Sequence, residues 1–99
     1  MLIYNITKSF PRDELFGLIS QMRRSAVSVP ANIVEGYSRA SSRDKLNFYR
    51  TARASLSELE YYIDLSRELK YIDEVAYTEL INARAEVGKL LYGFMKSIE

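Results

Sequence analysis

The stretch SAVSVPANIVEGYSR, residues 25–39, decides the fold. It sets a proline, an asparagine, a glutamate and a glycine within seven residues along an apolar helical face. Pro30 lacks the N–H that a helix interior uses, and its ring crowds the carbonyl one turn back, at a cost of about 3 kcal/mol or more. Apolar residues still recur on both sides of it, at Leu15, Leu18, Ile19, Met22, Ala26, Val29, Ile33 and Tyr37. These spacings of three and four hold one face across the proline. They predict a single helix over 11–39, bent at Pro30, with Ser25 and Ser28 satisfying backbone groups freed at the bend. The competing arrangement is two helices broken near Ser28. Pro11 suits the first helical position, and Asp13 and Glu14 suit the positive end of the helix dipole.

RASSRD is the next boundary, where Ser41 and Asp44 fit a capping box with Asp in place of Glu. A helix over 42–70 follows, with Tyr49, Ala52, Leu56, Leu59 and Ile63 in a strict 3-4-3-4 seam. Phe48, Tyr62 and Leu69 flank that seam. Asp73 can cap the last helix, 74–98, whose stripe of Ala76, Leu80, Ala83, Val87, Leu90, Leu91, Phe94 and Ile98 is wider than one seam needs. Residues 2–8 read as the last turns of an earlier helix. No segment alternates as a strand does. Short connections make consecutive helices antiparallel neighbours. The prediction is all-α: an antiparallel up-down-up-down four-helix bundle with a truncated first helix, in one domain. Three helices and a stub leave one groove open, as though the chain began in the middle of a first helix.

Composition narrows the function. The 99 residues hold no cysteine and no histidine. Disulfides and thiolate chemistry are excluded, and the commonest general base and metal ligand are absent. No Gly-rich phosphate loop or nucleophile elbow occurs. No metal site and no cofactor are expected, and an enzyme is the least favoured class. The N-terminus does not read as a signal peptide and no apolar run approaches a membrane span, which suggests a cytoplasmic chain. A chain this short buries only about 60–65% of its unfolded surface, so assembly would help it.

Three polar constellations stand out. Asn32, Glu35 and Ser55 fall on or beside apolar faces, and Arg53 lies one turn from Tyr49. They read as a binding pocket or, preferably, as a buried network in which Arg53 neutralises Glu35 and Asn32 ties down groups near the bend. Glu60, Asp64 and Glu68 form an acidic stripe, read as a solvated face with Arg67 and Lys70 nearby. The net charge of +1 hides an imbalance: residues 1–53 hold nine Lys/Arg against four Asp/Glu, and 54–99 hold five against nine. Arg39, Arg43, Lys45 and Arg50, with Lys96, belong at one end of the predicted bundle. Clustered there, they read as candidate contacts for RNA or DNA phosphates.

The segments FPRDELFGLISQMRRSAVSVPANIVEGYSR and FYRTARASLSELEYYIDLSRELKYI resemble the family of bacterial four-helix proteins encoded in intervening sequences of 23S ribosomal RNA genes. The most specific positions are Phe10-Pro11, Glu14, Gln21, Arg23-Arg24, Ser28, Pro30, Asn32-Ile33, Glu35-Gly36, Arg39, Ala52-Arg53, Ser55 and Glu58-Leu59-Glu60. The resemblance spans about Phe10 to Ile98. It implies a ring-like homo-oligomer, a homopentamer. It also relates the chain to accessory subunits of retroelement reverse transcriptases that contact the enzyme and nucleic acid. The family pattern has most of another helix before the position of Leu2. The function expected is therefore non-enzymatic and oligomeric: nucleic-acid-backbone binding, or an accessory role in a nucleic-acid-processing complex. The alternative is a protein-interaction scaffold without nucleic-acid contact.

Overall fold

The computed structural model describes residues 2–14 and 17–98. Leu15, the Asp13 side chain and Glu99 lie outside what is described. Four helices follow in order: α1 (Leu2–Thr7), α2 (Leu18–Ser38), α3 (Ser42–Glu68) and α4 (Glu74–Ser97). A short 3-10 turn, Arg12–Glu14, stands between α1 and α2. The second helix thus starts at Leu18 instead of Pro11, and Pro11 and Glu14 serve a separate turn closed by a bond from Glu14 N to Pro11 O. No strand occurs among the described residues. The elements pack into a rod of 44 × 24 × 18 Å.

Cross-helix contacts fix an antiparallel register. Between α2 and α3, Gly36 meets Tyr49, Ser28 meets Ser55, and Met22 meets Ser66. Between α3 and α4, Tyr49 stacks on Phe94 with ring centroids 5.7 Å apart, Glu60 pairs with Arg84 at 2.9 Å, and Arg67 grips Glu74 through two bonds of 2.9 Å. Arg67 therefore neutralises the start of α4, not the acidic stripe of its own helix. Asp64 of that stripe accepts from the Tyr77 hydroxyl at 2.8 Å, a bond that holds the phenol above its usual pKa.

α2 runs unbroken through Pro30. Its Leu18, Ile19, Met22, Ala26 and Val29 are buried, as the spacing predicts, while Tyr37 is exposed. The α3 seam from Tyr49 to Ile63 is buried throughout. Burial of such a seam is the main favourable contribution to folding, at about 25 cal/mol for each Å² of apolar surface removed from water. Phe48 and Tyr62 of the flanking line are half-buried against α2, so that line serves the intramolecular core and only Leu69 remains exposed. The caps also follow the residue types: Ser41 Oγ accepts from Asp44 N at 3.1 Å, and Asp73 Oδ1 from Ala76 N at 2.8 Å. α3 ends in a Schellman motif, with Tyr71 N bonded to Ser66 O and Lys70 N to Arg67 O. Lys70 takes the left-handed position of that motif at φ 61°.

α2 and α4 scarcely touch. Between them lies an apolar trough of about 430 Å³, with Leu2 of α1 at its wall and Val29, Ile33, Leu56, Val87 and Leu90 along it. This is the open groove that three helices and a stub imply.

Candidate nucleic-acid interface

The antiparallel register sets the first half of α3 beside the second half of α4, and the α2–α3 turn at the same end. Residues 39–57 and 85–98 carry seven Lys/Arg against two Asp/Glu, whereas 58–84 carry three against seven. The charge imbalance is therefore a property of the two ends of the α3–α4 pair, sharper than the imbalance between the halves of the sequence.

The four residues singled out at this end differ in their ties. The Arg39 guanidinium lies 4.7 Å from the Phe48 ring centroid and 3.5 Å from Glu35, one turn earlier on α2. Lys45 donates from Nζ to Tyr37 O at 2.8 Å, with the Tyr37 ring 5.5 Å away. Both cations thereby engage the last turn of α2. Arg43 and Arg50 are exposed and make no ion pair among the described residues. Arg53, Lys89 and Lys96 share that exposed, unpaired state. The structure thus brings together Arg39 and Lys45 as ordered cations near the turn, with Arg43 and Arg50 as solvated ones along α3. Cations that outnumber the carboxylates around them, two of them unpaired, attract phosphate, and the effect is salt-sensitive.

The polar network is smaller than the sequence suggests. Ser28 Oγ and Ser55 Oγ are 2.8 Å apart across α2 and α3, and Asn32 Nδ2 donates to Ser28 O at 2.8 Å and to Ser28 Oγ at 3.1 Å. Asn32 and Ser55 belong to it. Glu35 does not: it is half-exposed and pairs with Arg39. Arg53 does not either, because it lies on the α4 side of α3. The reason is angular, since Ser55 and Arg53 differ by two residues, about 200° around a helix. Ser28 spends its hydroxyl across the helices and not on a backbone group freed by Pro30.

Two features escape sequence reasoning. Lys89 and Tyr92 of α4 project beside Arg53 into a second trough of about 470 Å³ between α3 and α4. Their spacing of three on one helix was the available signal. Thr7 also anchors α1 by accepting from Arg23 Nε at 2.9 Å, with the same guanidinium 4.7 Å from the Tyr4 ring. Among the described residues, no group of His, Cys, Asp and Glu is placed to hold a metal ion. Nor, among them, is any helix long and apolar enough to cross a membrane.

The sequence model of the 23S rRNA-intervening sequence protein family matches residues 1–93. A crystal structure of a protein of unknown function from the S23 ribosomal protein family of Bacteroides thetaiotaomicron VPI-5482 superposes with a TM-score of 0.86 at 30% identity. The match covers 95% of this chain and 88% of that one. No curated protein matches the chain.

Proposed function

Because this chain belongs to the 23S rRNA-intervening sequence protein family, we propose that it is a non-enzymatic, cytoplasmic protein that binds the RNA or DNA backbone. It acts alone or as the accessory subunit of a nucleic-acid-processing complex, such as one built on a reverse transcriptase. The observation that carries the reading is the segregation of unpaired cations, Arg43 and Arg50 foremost, to the end of the bundle that also holds Arg39 and Lys45. A homopentameric ring would repeat that end five times and join it into a rim. Multiple contacts of this kind give strong binding without sequence readout, because phosphates carry no base information. The test is binding of single- and double-stranded RNA and DNA as salt is varied.

One observation favours a second reading, a scaffold for a partner protein. The α2–α4 trough is apolar and leaves Leu90 57% and Val34 69% exposed. Its shape suits an amphipathic helix antiparallel to α2 and α4, the direction α1 already takes at one end. Aliphatic side chains at i, i+3 or i+4 and i+7 would fill it. A partner that binds through such a helix with no salt dependence, while nucleic acid fails to bind, would favour this reading over the first.

A further inference from the structure

Tyr92 is 67% exposed on α4, so its ring contributes little to the core. It borders the α3–α4 trough, whose floor is made by the buried Leu91 and Met95. Arg53 reaches this trough from α3 and Lys89 from α4, and neither makes an ion pair or hydrogen bond among the described residues. Among the described residues, no acidic one lines it. The one further cation, Arg84, is engaged by Glu60 at 2.9 Å. Gly88 sits in the wall, where a side chain would meet Leu56 Cδ2 at 3.6 Å and Arg84 Nη1 at 4.0 Å. A glycine within a helix costs about 1 kcal/mol relative to alanine. Here its bareness leaves the trough wide beside Tyr92.

An aromatic face beside unpaired cations, over an apolar floor, is the arrangement that takes an unpaired base between two phosphates. Resting on the nucleic-acid reading above, we propose that the α3–α4 trough is a base-stacking subsite for single-stranded nucleic acid. Tyr92 receives the base, and Arg53 and Lys89 hold the flanking phosphates. The subsite continues the basic end, because Arg50 precedes Arg53 by three residues on α3 and Lys96 follows Lys89 by seven on α4. The backbone is then tracked by cations and one base is anchored by a ring, which favours single strands over duplexes.

The chain has no tryptophan, so Tyr92→Trp introduces a single indole at the trough, excited selectively over the tyrosines. The probes are an oligothymidylate of about twelve nucleotides and an abasic strand of equal length, a size within the range of one single-strand site. The oligothymidylate quenches the indole emission of the Tyr92→Trp variant and the abasic strand does not. Tyr92→Ala weakens oligothymidylate binding by about tenfold and leaves abasic binding unchanged, while Tyr92→Phe restores it. Equal affinity for the two strands, with no change in the indole emission, overturns the stacking subsite and leaves backbone binding standing. If neither strand binds at low salt, both readings fall.

Discussion

Gly36 lies so close to Tyr49 that a methyl group in place of its hydrogen would stand 2.7 Å from the ring carbon Cε1 and 2.9 Å from Cδ1. Phe48 Cβ would be 3.1 Å away. Tyr49 is itself buried, and stacked on Phe94, so the ring has nowhere to move. This contact is where α2 and α3 approach at the basic end. Gly36→Ala is therefore expected to lower stability by about 1–3 kcal/mol, as overpacking does, despite alanine's better helix propensity. Urea denaturation followed by far-UV circular dichroism measures it. An unchanged or raised midpoint would contradict the packing described.

The Ser28–Ser55 bond links the same two helices beside Pro30. Each single alanine replacement is expected to cost about 1 kcal/mol, with the double replacement costing less than the sum. Glu35→Gln, by contrast, should change stability by no more than about 0.5 kcal/mol, because its exposed pair with Arg39 is solvent-screened. Additive losses for the serines would remove Ser55 from the network, and a large loss for Glu35→Gln would restore Glu35 to it.

Lys70 occupies a left-handed backbone position that a glycine takes without steric cost. Lys70→Gly is expected to stabilise the fold by about 0.5–1 kcal/mol, read as a rise in the thermal midpoint. A fall in the midpoint would mean that the Lys70 side chain contributes more than the backbone strain removes.

Much of this architecture is legible in the sequence. The α3 seam, the caps at Ser41 and Asp73 and the continuation of α2 through Pro30 all follow from local periodicity and side-chain chemistry. What periodicity does not supply is which neighbour a flanking residue meets. Tyr62 and Phe48 read as a line beside the seam, yet Tyr62 packs on the core cluster and Phe48 lies against Gly36 of α2. Arg53 reads as a partner for Glu35, yet it lines the α3–α4 trough while Glu35 pairs with Arg39. The basic end was readable because a short turn forces antiparallel helices. The Tyr92 trough is not, since it takes residues from both α3 and α4 and depends on how the two helices pack.

Assembly is the next expectation. The exposed Leu90 and Val34 edge an apolar trough in a chain small enough to gain from association. Size exclusion with light scattering at micromolar concentration should give a closed homo-oligomer with the mass of five chains. A clean monomer would contradict the ring.

The most direct measurement is the salt dependence of nucleic-acid affinity for the unaltered chain and for the Arg43→Gln/Arg50→Gln variant. Both arginines are exposed and unpaired among the described residues, so the variant should fold and assemble normally. For duplex DNA, log affinity should fall linearly with log salt, by a slope of about 0.9 for each phosphate neutralised. The variant should show a slope smaller by about one to two, together with weaker binding at low salt. Absence of binding to any RNA or DNA at low salt would contradict the account, as would binding that survives the joint loss of Arg39, Arg43, Lys45 and Arg50.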